Sequence, residues 1–313
     1  MNCHCCSGNC RKSGAYRNKN RIVQRYACDR CGKSFSESQP LDGLRVDIKQ
    51  AEQVVHLLCE GMGIRAISRF TRLDTKTILN ILETAGQKAS AFQQAKVWGV
   101  EAALVQADEM SSFVFCKQRN ADENDMERGD QYTFLAVDRK SKLIINSLVG
   151  KRTRENAEQF LIELKNRMEP RRFQITTDGW QVYSGYTGAV QAVFGNEVDY
   201  ATETKYFAKP EQFLPRQLKS VSRRRKIGEP DMKVATTCHC ERLNLSVRTF
   251  TRRFTRCTIG YSKTLENHKY AVALFVWHYN FCRVHSAHGL TPAQANGLVP
   301  KAFKIAELLD FHQ

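Results

Sequence analysis

Along residues 236–254 apolar side chains recur three and four positions apart. Leu243, Val247, Phe250 and Phe254 gather on one side of a helix, and Glu241, Asn244, Arg248 and Arg252 gather on the other. The helix has a dry face, and a second face on which one acid precedes an amide and two cations. That second face suits either a solvated surface, where Glu241 pairs with its own arginines, or a place where a divalent cation meets a polyanion. The rest of the chain decides between these.

Ahead of this helix the period changes. Residues 102–107 predict an apolar strand ending at Asp108-Glu109, and 132–137 with 143–149 alternate as a hairpin around the turn Asp138-Arg139-Lys140-Ser141. An amphipathic helix over 153–168 leads to a short buried strand, 173–177, that ends at Asp178-Gly179-Trp180. A helix from Gln181 and a strand over 197–201 follow. Three antiparallel strands, then helix, strand, helix and strand, is the order of a ribonuclease H-like mixed sheet. The predicted class is therefore α/β, with this domain spanning 98–300. Residues 202–235 read as a basic insert carrying Arg216, Lys219, Arg223, Arg224, Arg225 and Lys226. An apolar helix covers 268–282, and Thr291-Pro292-Ala293 opens another, with threonine as cap and proline in the first turn. Residues 301–313 read as a C-terminal tail.

The first ninety residues hold two smaller units. In 1–38, Cys3 and Cys6 form one Cys-x-x-Cys knuckle and Cys28 and Cys31 a second, 21 residues further on. Paired knuckles at this separation predict a zinc ribbon in which four thiolates hold one Zn2+, with Cys5 and Cys10 to spare. Arg11, Lys12, Arg17, Lys19, Arg21 and Arg25, interleaved with Tyr16 and Tyr26, suit phosphate contact. The unit is too small for a core, so the metal should fold it. Gln39-Pro40-Leu41-Asp42-Gly43 reads as a linker. Over 45–90 the period is helical: a helix carrying Val54, Val55 and Leu58, a second over 64–70, and a third over 75–82 capped by Asp74. This is a helix-turn-helix layout. Its third helix turns Thr75, Lys76 and Asn80 outward, so Lys76 and Asn80 become candidate base contacts. A generic helical bundle is the alternative.

Composition narrows the partner. The 313 residues carry a formal net charge of +16, which favours a polyanion, nucleic acid before an anionic membrane. No apolar run reaches membrane-spanning length, and the start Met1-Asn2-Cys3-His4-Cys5 has no signal-like apolar stretch. Twelve cysteines in so long a chain therefore point to a reducing cytosol with a metal site, not to a secreted disulfide scaffold. The expected localisation is cytoplasmic, on the nucleoid.

The acids now form a set. Asp108 and Asp178 end neighbouring strands, and Glu241 opens a helix able to cross that edge. Three hard oxygen donors there suit Mg2+ or Mn2+. Asp138 belongs to the hairpin turn. Glu109 competes with Asp108, but strand alternation points the two opposite ways. Asp108-Glu109-Met110, Thr177-Asp178-Gly179-Trp180 and Cys240-Glu241-Arg242-x-Asn244-Leu245 resemble the acidic blocks of the insertion sequence 1 family of transposases. The run from Arg252-Arg253-Phe254 through Ser262-Lys263 and Glu266-Asn267-His268 resembles the same family, as does Tyr279-Asn280-x-x-Arg283-x-His285. So do Ser7, Lys12, Gly14 and Tyr26 around the knuckles. Cys238 and Cys240 beside the acid, and the long basic insert, depart from the pattern.

The resemblance implies a transposase of the DDE type. Asp108, Asp178 and Glu241 would hold two Mg2+ (or Mn2+) ions, first directing water at the transposon end and then the freed 3′-hydroxyl at target DNA. Arg242, Asn244, Arg248 and Arg252, with Arg223, Arg224 and Arg225 of the insert, would support or contact DNA. The implied partner is double-stranded DNA, both terminal inverted repeats and target, bound by a homo-oligomer, with no membrane. Trp180 is expected in the core, and His285 as a structural histidine. The alternative from another class is a DNA-binding regulator or domesticated transposase without activity, against which the intact acid triplet speaks.

Overall fold

The computed structural model describes residues 3, 6, 8–17, 22–36, 41, 44, 46–184, 188–208 and 217–311. Cys5, Ser7, Lys19, Arg21, the linker residues Gln39, Pro40, Asp42 and Gly43, and Arg216 lie outside the described residues.

At the N-terminus β1 (Cys10–Arg17), β2 (Ile22–Cys28) and β3 (Ser34–Ser36) form an antiparallel sheet in that order. Val23 and Cys28 are the buried residues among these strands, so the unit has almost no apolar core of its own. Three helices follow: α1 (Ile48–Cys59), α2 (Ile64–Thr71) and α3 (Thr75–Lys96). Asp47 and Asp74 cap α1 and α3, Asp74 Oδ1 accepting the Lys76 amide at 2.8 Å. α3 runs past the boundary expected at residue 90. Its inward stripe of Ile78, Ile81, Leu82, Ala85, Ala89 and Phe92 continues without a stop signal.

The central sheet is built from β4 (Leu104–Val114), β5 (Gly129–Asp138), β6 (Ile144–Gly150), β7 (Gln174–Asp178), β8 (Asp199–Phe207) and β9 (Leu218–Ile227). α4 (Arg154–Arg167) links β6 to β7, and the short α5 (Gln181–Ser184) and α6 (Ala189–Phe194) lie between β7 and β8. The strand order is β6-β5-β4-β7-β8-β9, with β4, β7 and β8 mutually parallel and the other neighbours antiparallel. This is the ribonuclease H-like mixed sheet that the element order predicts. Two details differ. The region expected as an insert, 202–235, contains the end of β8 and all of β9, which complete the sheet edge. Polar and basic residues such as Thr202, Glu203 and Lys205 pair there with Arg224, Arg223 and Val221, so no apolar alternation marks the strands. β4 also continues to Val114, so Asp108 sits within a strand; the strand that stops at the acids is β7.

α7 (Cys238–Phe250), α8 (Leu265–Trp277), α9 (Pro292–Ala295) and α10 (Ile305–Leu309) complete the chain. α7 stops short of Phe254, which follows in a single tighter turn and is still buried. Thr291 and Gln294 form the capping box of α9. α7 and α8 cover one face of the sheet, packing Leu243, Val247 and Val276 on Met110, Leu135 and Val137. α8 also faces the other way, placing Leu274 and Trp277 in a second, larger core. An apolar surface all round is what this double burial requires. That larger core is continuous from α1–α3 through the sheet to α10, so the helical unit and the sheet domain share it. α3 lies so close to α8 that a Cβ on Gly86 would be 2.5 Å from that of Tyr270. Leu308 and Leu309 are fully buried, so the expected C-terminal tail is part of the core.

Candidate active site

β4 and β7 run parallel with Ala107 beside Thr177, which puts Asp108 next to Asp178 where β7 ends. Asp108, Glu109 and Asp178 each bring a carboxylate oxygen within 4.8 Å of the others. Alternation does place Asp108 and Glu109 on opposite faces of β4. Because β7 stops here, however, the Glu109 side chain reaches the same gap, against the expectation that it points away. Glu109 Oε1 is ion-paired with Arg152, whose guanidinium lies 4.4 Å over the Trp180 ring and 3.9 Å from Asp178 Oδ2. Glu109 Oε2 is buried with no hydrogen-bond partner. Trp180, expected in the core, packs against it and supports this arginine. Burial first, then repulsion from Asp178, pushes the Asp108 carboxyl up to about 7. The same two effects push Glu109 up to about 8, with Arg152 opposing them.

α7 is fixed over this gap from two strands. The Gln106 side chain on β4 accepts the His239 amide at 2.8 Å. Glu203 on β8, beside Asp178 in register, accepts the Thr237 amide at 3.0 Å and the Thr236 hydroxyl at 3.1 Å. Glu203 is 3% exposed and also pairs with Arg223 at 3.2 Å; against burial, the Thr237 amide first, then Lys205 and Arg223, hold its carboxyl below the usual range. So anchored, α7 directs Asn244 at Asp108, the amide Nδ2 donating to Oδ2 at 2.9 Å. Glu241 lies on the same face and adds to the field that raises Asp108, but it is ion-paired with Lys205 and is not one of the three converging acids.

The other sequence candidates fall as follows. Asn244 is buried and donates to Asp108. Arg223 is tied to Glu203 and Arg225 to Glu229, whereas Arg224, Arg242 and Arg252 are exposed. Arg248 is half-buried in the field of Asp108. Lys76 is exposed and Asn80 half-buried on α3. Asp138 accepts the Ser141 amide in its hairpin turn. His285 Nδ1 accepts the Ala287 amide at 3.2 Å, a structural contact. His268 is enclosed between Ser112 and Ser262, and Asn280 bonds the Ile144 amide and carbonyl at 2.9 and 2.8 Å. Those motif residues fasten α8 and the turn that follows it to their surroundings. Arg152, Glu203 and Lys205 escaped the sequence reading. The polar alternation Thr202-Glu203-Thr204-Lys205 was the available signal for the last two.

A second cluster stands in the N-terminal unit. The sulfurs of Cys3, Cys6, Cys28 and Cys31 lie within 4.8 Å of one another, with Cys3 to Cys31 at 3.6 Å and Cys6 to Cys28 at 3.5 Å. The Cys31 backbone amide draws the Cys28 thiol down, while the neighbouring sulfurs and burial push Cys6 and Cys31 up, so the four share their protons as one group. Cys10 hydrogen-bonds the Gly8 carbonyl outside the four.

No protein-family model and no curated protein matches the chain. Among solved structures it is similar to the piggyBac transposase in a synaptic complex with hairpin DNA, at 10% identity over 84% of this chain and 69% of that one, with a TM-score of 0.37. It is also similar to a pre-cleavage Mos1 transpososome and to the Mos1 strand transfer complex. These are 10% and 14% identical over 50% of this chain and 60% and 59% of theirs, each with a TM-score of 0.22. Likeness this slight does not bear on chemistry, for which the residues themselves are the ground. Among the described residues no helix is long and apolar enough to cross a membrane.

Proposed function

We propose that this protein is a DNA transposase that acts by metal-dependent phosphoryl transfer, of the kind found in the insertion sequence 1 family. The observation that carries this is the convergence of Asp108, Glu109 and Asp178 beside an open strand end, with a buried Glu109 oxygen that no protein group satisfies. Buried acceptors without partners are costly, and carboxylates crowded into one another's negative field favour a cation between them. Hard oxygen donors of this kind select Mg2+ or Mn2+. When bound, such ions polarise a phosphodiester and activate the oxygen that attacks it. Glu241 would join the set once its pair with Lys205 opens, completing the triplet with Asp108 and Asp178. Asn244 keeps the Asp108 carboxylate oriented. Water would displace the 3′-oxygen at the element end, and the freed 3′-hydroxyl would then displace a 3′-oxygen in target DNA. The four cysteines would hold Zn2+ and present Arg11, Lys12, Arg17 and Arg25 to phosphate, while α3 reads the terminal repeat through Lys76 and Asn80. Binding two ends implies a homo-oligomer on DNA.

The test is a gel assay of a labelled element end with Mg2+ or Mn2+, comparing the native chain with Asp108→Asn. Metal-dependent cleavage and joining that the variant lacks is the expected result. Full binding of the ends by the native chain with neither cleavage nor joining would favour a DNA-binding regulator.

A further inference from the structure

β8 and β9 extend beyond the sheet that carries the acids. The pairing of β7 with β8 ends at Asp178 and Glu203, so from Thr204 to Phe207 β9 is the one strand beside β8 among the described residues. The ribbon remains paired to its described end, where the Ala208 amide donates to the Gln217 carbonyl at 2.8 Å. Its two faces differ. Glu203 and Lys205 turn toward α7, where they meet Thr237 and Glu241. By alternation Phe207 shares that face, with Val221 opposite Lys205 and Leu218 opposite Phe207. Phe207, Leu218 and Val221 are 49%, 53% and 40% exposed. Among the described residues nothing covers this apolar patch with its flat aromatic ring, which stands on the same side as the carboxylates, and the strand that forms its edge is basic.

From this we infer that the ribbon holds an unpaired stretch of nucleic acid, with a base against Phe207, so that the end entering the acid site is melted rather than duplex. The inference rests on the phosphoryl-transfer reading of that site. Exposed aromatics beside cations form a platform for single strands, because every base offers a stacking face while the cations follow the phosphates. Charge also decides against a second copy of this chain as occupant. β9 is an edge strand, and pairing it with its own copy would bring Arg224 and Lys226 against like charges. A polyanion meets this basic edge favourably, with exposed Lys219 next to Leu218 of the patch.

The experiment measures binding without divalent cation, so its outcome does not depend on catalysis. Fluorescence anisotropy compares a blunt duplex with the same duplex carrying four unpaired terminal nucleotides. The native chain binds the frayed end more tightly. Phe207→Ala weakens frayed-end binding by about tenfold and leaves the blunt duplex unchanged. Phe207→Leu keeps apolar area without the ring and behaves as the alanine variant, whereas Phe207→Trp retains the preference. A 2-aminopurine at the first unpaired position is quenched by the native chain and not by Phe207→Ala. Equal affinity of the native chain for both ends, or equal weakening of both by Phe207→Ala, overturns the inference. So does a fall in oligomer mass for Phe207→Ala by light scattering, which assigns the patch to an interface between copies. Absence of cleavage with the frayed-end preference intact would count against the phosphoryl-transfer reading alone.

Discussion

Asn244 donates to Asp108 across 2.9 Å, and this bond is the polar link between α7 and the acid on β4. Removing it frees the carboxylate to rotate and leaves DNA-facing residues untouched, since Asn244 is only 8% exposed. Asn244→Ala is expected to lower single-turnover cleavage by roughly 10- to 100-fold, the usual loss when a group that orients a metal ligand is removed. Duplex affinity by anisotropy should stay at the native value. A parallel loss of affinity would return Asn244 to the DNA surface.

The converging carboxylates predict a graded series. Asp108→Asn and Asp178→Asn should abolish both cleavage and joining. Glu109→Gln should also weaken Mn2+ binding, measured by electron paramagnetic resonance on the DNA-free protein, because its side chain enters the gap beside Asp178. Glu241→Gln should abolish both reactions yet retain most of the Mn2+ bound without DNA, since Glu241 is occupied by Lys205. Native-like Mn2+ binding by Glu109→Gln would restrict the site to the aspartates.

The pH dependence has a definite sign. Folded Asp108 and Glu109 release protons near 7 and 8, whereas in the unfolded chain they do so near about 4. The folded state therefore binds more protons in between, and the metal-free protein should lose thermal stability as pH rises from about 5 to about 8. A cation must displace the same protons, so Mn2+ affinity should climb between about pH 6 and 8 and then level off. Asp178→Asn removes the repulsion that raises both groups and should move the stability window to lower pH. Thermal melts across pH, with and without Mn2+, read both effects.

Glu203 predicts a stability effect with a functional signature. Deleting a buried carboxylate that holds Thr236, Thr237 and Arg223 should destabilise the protein by about 3 kcal/mol in Glu203→Ala. Glu203→Gln keeps the acceptor oxygen and should recover much of that in denaturant melts. If the two variants melt alike, the carboxylate is not what anchors α7.

Cys28→Ser should release zinc from the N-terminal unit and unfold it, because its strands bury so little. The far larger core elsewhere should keep its thermal transition. Zinc at one equivalent in the purified variant, by atomic emission, would remove Cys28 from the ligand set.

What could be read in advance follows from where apolar side chains go. The β5–β6 hairpin, β7 with Asp178, and α7 each bury an apolar face, so their periods survive in the sequence. β8 beyond Ala201 and β9 satisfy one another through charge and backbone pairing at the sheet edge, and strands that bury no apolar face leave no such period. The acids were partly legible for the same reason. Alternation separates Asp108 from Glu109 by face, but the gap that reunites them exists only because β7 ends at Asp178. The partner of Glu241 was hidden because Lys205 lies in the stretch read as an insert.

The uninterrupted length of α3 acts as a ruler. From Lys76 in its first turn to Gly86, locked against Tyr270, the helix covers roughly 15 Å. Roughly four to five base pairs of duplex cover the same length, about half a helical repeat. A sequence gripped near Lys76 cannot slide relative to the sheet without breaking that lock. The spacing between what is read and where the backbone is cut would then be set by the protein and not by the DNA, and adding half a helical turn between them should misplace the scissile phosphate.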